Sequence, residues 1–278
     1  MHEMRSRYTD YIREDIGSGD VTSELLVPPR RRASGRIIAE EQCVLAGAVE
    51  AFSVFEELGA EATEVVKEGT RAEKGDVVMT VKGSARALLS GERLALNFLM
   101  RMSGIATLTN DLLHRCRKIN PKVRIAATRK TTPGFRQFEK RAVSIGGGDT
   151  HRFGLDDAIL IKDNHIAIAG GIREALRSAR QAASFTKKIE IEVGTVDDAL
   201  TAVEEGADII MLDNLAPEEG EKVAREVRSA NPMTVIEVSG GIRPDNIEAY
   251  ASFADIISLG WLTHSVRSID FSMDIVPE

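Results

Sequence analysis

Two cysteines in 278 residues, Cys43 and Cys116, cannot build a disulfide framework or a thiolate metal site. Their scarcity favours a reducing, cytoplasmic setting. No apolar run approaches the roughly 18 residues that span a bilayer, so no membrane association is expected. The first residues are polar and mixed in charge, without the apolar stretch of a secretory signal. A basic surplus is also missing: 36 Lys and Arg stand against 43 Asp and Glu, a net charge of −7. That argues against a nucleic-acid partner. Any anionic ligand must meet cations gathered in one place. Gly146-Gly147-Gly148 has neither the Gly-x-Gly-x-x-Gly nor the Gly-Lys-Ser/Thr arrangement, which excludes a nucleotide P-loop. No Gly-x-Ser-x-Gly elbow is present, and His151 and His165 lack zinc spacing.

What is present falls into two rhythms. Residues 1–103 read as an N-terminal α+β domain. Arg36–Ala39 and Val77–Val81 have strand character, and Val49–Leu58 has helical spacing ending at Gly59. Glu92–Leu113 is helical, with Gly104 marking an expected break. Residues 104–265 read as a second domain, and the tail 266–278 is a candidate to pack on the first.

From Val123 onward short apolar runs alternate with helical stretches. The runs are Val123–Ala127, Ala158–Ile161, Ile189–Val193, Ile209–Leu212, Val235–Val238 and Ile256–Leu259. Helical pattern fills Phe135–Ile145, Ile172–Ala183, Val196–Glu205, Pro217–Ala230 and Pro244–Ala251. Repeated βα units imply a parallel sheet with crossover helices. On pattern alone an incomplete barrel and an open doubly wound sheet both fit.

Chemistry-bearing residues follow these runs. Arg129 and Lys130 follow the first, Lys162 the second, and Glu192 lies at the end of the third. Asp213 follows the fourth, Ser239-Gly240-Gly241 the fifth, and Ser258 and Gly260 close the sixth. In a parallel α/β barrel all strand C-termini open on one face, where active sites sit. Residues scattered over the second half of the chain would then meet at one mouth. Arginines there suit carboxylate or phosphate, and Glu192 and Asp213 offer hard oxygen ligands for Mg²⁺. Ser239-Gly240-Gly241 before a helix would offer backbone N–H groups to a phosphate. Each charge taken singly has a plainer reading as a solvated group or surface ion pair.

Ala127-Thr128-Arg129-Lys130-Thr131-Thr132-Pro133-Gly134 resembles the quinolinate phosphoribosyltransferase family. Further segments match in order. They include Asp15–Thr22, Gly91–Asn97, Gly146–Arg152, Leu160–His165, Glu190–Val193, Met211–Asn214, Ser239–Ile242 and Gly260–Ser265. The resemblance implies a seven-stranded incomplete parallel α/β barrel behind an N-terminal α+β sandwich-like domain. It implies phosphoribosyl transfer from phosphoribosyl pyrophosphate (PRPP) to quinolinate with loss of carbon dioxide, within NAD biosynthesis, and Mg²⁺ as cofactor. It implies a homodimer with shared sites and leaves a higher assembly open.

Carried over residue by residue, Arg93, Arg129, His151, Arg152 and Lys162 would hold the quinolinate carboxylates, Arg93 from a neighbouring subunit. Lys130 would meet pyrophosphate; Glu192 and Asp213 would face the ribose and Mg²⁺. Ser239, Gly240, Gly241, Gly260 and His264 would seat the 5′-phosphate, and Ser258 is a further substrate-binding candidate. Thr150 and Trp261 depart from the usual family residues. Rival readings are a related molybdenum-uptake-type transferase, a nicotinate phosphoribosyltransferase, an aldolase with Lys162 as Schiff-base nucleophile, and a non-catalytic metabolite sensor.

Overall fold

The computed structural model describes residues 2–278, with side chains from Tyr8 onward. The chain divides into two compact units, 1–108 with 144–146 and 266–278, and 109–143 with 147–265.

The first unit begins with helices α1 (His2–Ile16) and α2 (Val21–Leu26). Asp20 caps α2 by accepting the Ser23 N–H at 3.0 Å. Strands β1 (Arg32–Ala39), β3 (Glu61–Glu64) and β5 (Val77–Ser84) join the C-terminal strand Phe271–Pro277 in one antiparallel sheet. Its order is C-terminal strand, β1, β5, β3, so the last residues complete the sheet begun by β1. A two-stranded ribbon, β2 (Cys43–Val44) with β4 (Arg71–Ala72), sits apart from that sheet. Helix α3 (Ala48–Glu57) buries Val54 and Phe55.

Helix α4 (Ala85–Arg117) runs 33 residues and buries Leu88, Ala95, Leu96, Phe98, Leu99 and Met102. The expected break at Gly104 does not occur. A Cβ there would overlap the Arg267 carbonyl oxygen. This glycine therefore serves close approach of the C-terminal segment, and the helix tolerates its modest propensity cost.

The second unit contains β6 (Arg124–Ala126), α5 (Arg136–Ile145), β7 (Ile159–Ile161), α6 (Asp163–Ala169) and α7 (Ile172–Ala182). It continues through β8 (Ile189–Val193), α8 (Val196–Glu204), β9 (Ile209–Asp213), α9 (Pro217–Ala230), β10 (Val235–Ser239), β11 (Ile256–Ser258) and α10 (Trp261–His264). All six apolar runs are strands, in the parallel order β6-β11-β10-β9-β8-β7. From β7 to β11 sequence neighbours pair, and the last strand, β11, pairs with the first, β6, which does not pair with β7. That cyclic order is a barrel's, and a doubly wound sheet would reverse direction at a switch point.

The structure forms six strands rather than the seven the resemblance implies. On the free edge of β6 lies a single parallel bridge, Ala126 to Asp149. It is held by Asp149 N–H to Ile125 O at 2.7 Å and Ala127 N–H to Asp149 O at 2.9 Å. Gly147 at φ +90 and His151 at φ +51 flank it, and neither conformation continues a strand.

The helix expected over Pro244–Ala251 shrinks to a 3-10 turn, Ile247–Tyr250. The Asn246 side chain accepts the Arg243 N–H at 2.8 Å and donates to the Gly241 carbonyl at 3.1 Å. These local bonds compete with the α-helical ladder.

Candidate active site

Strand alternation builds the site. Residues two apart on a strand share a face, so Glu192, Asp213 and Ser239 project together from the ends of β8, β9 and β10. Asp213 and Ser239 are direct register partners. A pocket of about 300 Å³ opens at these ends. Arg129, Lys130, His151, Arg152, Lys162, Asp213, Ser239 and Ser258 all line it. Glu192 joins through its ion pair with Lys162. Glu192 and Asp213 also line an adjoining cavity of about 700 Å³ with Asp163, Arg173 and Asp198. Asp213 stands in the wall of both.

The phosphate-seat candidates gather around the same mouth. Gly240 (φ +79) lies so close to Asn214 that only glycine fits, and a Cβ there would come within 2.7 Å of Asp213 Oδ1. At Gly260 a Cβ would meet His264 at 2.8 Å and the Lys130 side chain at 2.9 Å. The helix expected after Ser239-Gly240-Gly241 is absent, so loop N–H groups, not a long helix N-terminus, border this side. Trp261 is half-buried, its ring 6.4 Å from that of His264. Arg93 is exposed on α4 in the first unit and is not among the residues that line this pocket.

Buried cations give the pocket its character. Arg152 is 9% exposed. Burial and the charge of Arg129 both lower its hold on its proton. Arg129 Nε is buried and has no hydrogen-bond partner among the described residues. Two guanidiniums that repel each other, one with an unspent donor, suit a shared anionic ligand.

Helix α5 holds both arginine loops. Glu139, fully buried, accepts the Thr132 N–H and hydroxyl, each at 3.0 Å. Its neighbour Lys140, also fully buried, donates to the carbonyls of Thr150 and Arg152. The Thr263 hydroxyl donates to the Lys130 carbonyl at 2.7 Å.

His151 lines the pocket, yet both ring nitrogens face protein. Nδ1 accepts the Arg152 N–H at 2.7 Å, and Nε2 lies 3.6 Å from Glu190 and 3.4 Å from Glu237. Glu139, Lys140, Glu190 and Glu237 carry no role in the sequence reading. For the two strand residues a signal existed: each lies two positions before a mouth residue, on the same face.

The sequence model of "Quinolinate phosphoribosyl transferase, C-terminal domain" matches residues 105–274, and that of the N-terminal domain matches 20–103. The chain belongs to the quinolinate phosphoribosyl transferase family. Membership makes it a phosphoribosyltransferase. It is 47% identical to a probable nicotinate-nucleotide pyrophosphorylase (carboxylating) of Methanothermobacter thermautotrophicus, over 96% of each chain. It is 40% identical to the human nicotinate-nucleotide pyrophosphorylase (carboxylating), over 95% of this chain and 89% of the relative. NadC from Streptococcus pyogenes superposes with a TM-score of 0.93 at 37% identity, over 100% of this chain and 98% of that one. The family's two domain models meet at residues 103 and 105, inside α4.

Proposed function

We propose that this pocket transfers the phosphoribosyl group of PRPP to quinolinate and releases carbon dioxide, giving nicotinate mononucleotide and pyrophosphate for NAD biosynthesis. The observation that carries the reading is the mutually repelling pair Arg129 and Arg152, with Lys162 in the same pocket. Three cations fit two carboxylates better than the single one of nicotinate.

In this reading Arg129, Arg152 and Lys162 hold the pyridine dicarboxylate with its ring nitrogen toward the ribose. The nitrogen lone pair forms the bond to C1′ as the C1′–O bond to pyrophosphate breaks. Positive charge grows on the ribose, and the Glu192 and Asp213 carboxylates stabilise it. Lys130, exposed beside Gly260, meets the departing pyrophosphate. Ser239, Gly240, Gly241, Ser258, Gly260 and His264 border the 5′-phosphate. Loss of carbon dioxide leaves an electron pair on the ring carbon next to nitrogen, nearby cations lower that barrier, and a proton from water then takes up the pair to form the C–H bond of the product. No general base is required.

Glu192 and Asp213 are oxygen donors at adjacent strand ends, which fits Mg²⁺ shared with substrate oxygens. When bound, the ion would neutralise charge on the pyrophosphate. The exposed Arg93 suits a homodimer in which Arg93 of the partner subunit reaches the mouth. Both cysteines are free and buried, their thiols pushed up to about 11 mainly by burial, which suits a cytoplasmic setting. No helix among the described residues is long and apolar enough to cross a membrane.

The test is an assay with PRPP and Mg²⁺, offering quinolinate and nicotinate separately and following carbon dioxide. Turnover of quinolinate with stoichiometric carbon dioxide is expected. Turnover of nicotinate alone would reject the reading.

A further inference from the structure

Two carboxylates at the inner end of the pocket have no part in the reaction, Glu237 in its lining and Glu190 beside it across His151. Glu190 lies two residues before Glu192 on β8, and Glu237 two before Ser239 on β10. Alternation puts each on the inward face, one step deeper than its neighbour. They are 3% and 1% exposed, where barrels ordinarily pack branched aliphatic side chains. A charge in such a place is costly unless it is paired. Oε1 of each has no hydrogen-bond partner among the described residues.

Nε2 of His151 lies 3.6 Å from Oε2 of Glu190 and 3.4 Å from Oε1 of Glu237. Burial disfavours a charged imidazole, and the two carboxylates favour one. The Arg152 amide opposes them: at 2.7 Å its N–H donates to Nδ1, which needs a lone pair there. That contact sets the resting form, with the proton on Nε2 toward the carboxylates. The same proton leaves no lone pair on Nε2 for a metal ion, although His151, Glu190 and Glu237 otherwise have ligand-like proximity.

His151 also sits at φ +51, a conformation a non-glycine residue keeps only when its surroundings enforce it. The Asp149 carboxylate accepts its N–H at 2.8 Å, and Lys140 grips the carbonyls on either side. The imidazole supplies the remaining hold, on the Arg152 amide.

We propose that Glu190 and Glu237 are positioning residues: through the His151 imidazole they fix the turn that aims Arg152 at the dianionic substrate. The inference rests on Arg152 binding a quinolinate carboxylate.

Glu190→Gln and Glu237→Gln, singly and together, keep shape and remove charge. The expected result is a rise in quinolinate KM of at least about tenfold, within what a misplaced positioning group costs. KM for PRPP should stay within about twofold, since its contacts do not depend on the turn that carries His151 and Arg152. In an Arg152→Ala background the same glutamine substitutions should add nothing to quinolinate KM. Equal effects in both backgrounds, equal rises for both substrates, or a lowered Tm with unchanged KM would each overturn the proposal. So would a stoichiometric divalent ion lost with His151→Ala. Unchanged quinolinate KM in Arg152→Ala alone would instead reject the underlying site assignment.

Discussion

The Lys140 ammonium, fully buried, donates to the Arg152 carbonyl oxygen at 2.7 Å. It grips the Thr150 carbonyl as well, so one side chain spans the turn at His151. Burial pulls its pKa down from 10.5 to about 8, helped by the nearby charge of Arg136. Lys140→Met leaves two carbonyls unpartnered, each costing roughly 1–3 kcal/mol. The folded pKa lies below the unfolded one, so between about 8 and 10.5 the unfolded chain binds more protons. Stability of the wild type relative to Lys140→Met should therefore rise with pH across that window, by roughly 3 kcal/mol at most. Urea unfolding of both proteins at neutral and alkaline pH measures the gap. A gap that stays constant would show that Lys140 is not a buried cation at neutral pH.

Arg129→Ala and Arg152→Ala should each raise quinolinate KM strongly. A desolvated carboxylate losing a bidentate partner costs roughly 2–5 kcal/mol. The variants should fold normally, because each removes one member of a mutually repelling pair. Steady-state kinetics with a thermal melt separates the two effects. Near-normal quinolinate KM in both variants would remove the substrate from this pocket.

Gly104→Ala tests the other reading of a glycine in α4. Were Gly104 a helix interruption, alanine would stabilise the protein by roughly 0.5–1 kcal/mol. A methyl group overlapping the Arg267 carbonyl predicts the opposite sign, a loss of roughly 1–3 kcal/mol as the C-terminal segment is pushed off. Denaturant titration gives the sign.

Periodicity and end signals made much of this molecule readable before any coordinates. All six apolar runs of the second unit became strands because their length and branched residues suit nothing else there. The mouth residues were readable because they follow those runs. The features that escaped depend on contacts distant in sequence. Gly104 looks like a helix breaker until Arg267 is placed beside it. Glu139 and Lys140 look like surface charges on a short helix, and burial turns them inward onto two loops. The 244–251 stretch has helical composition, yet Asn246 bonding wins locally. His151 belongs to a recognisable segment, but the direction of its nitrogens depends on Glu190 and Glu237, on two other strands.

The shared-site dimer can be tested without a structure of the complex. Arg93 is exposed on α4, whereas Lys162 lies in the barrel pocket of its own chain. If Arg93 of the partner subunit completes each mouth, Arg93→Ala and Lys162→Ala damage complementary halves of one site. Each homodimer should be nearly inactive. In a mixed dimer one mouth carries both lesions and the other carries neither, so subunit exchange at equal concentrations should restore about a quarter of wild-type activity per subunit, the statistical share for a two-fold oligomer. Activity assays after exchange, with tagged subunits to measure mixing, give the answer. Mixed dimers without restored turnover would place Arg93 outside the site and leave each barrel to work with its own cations.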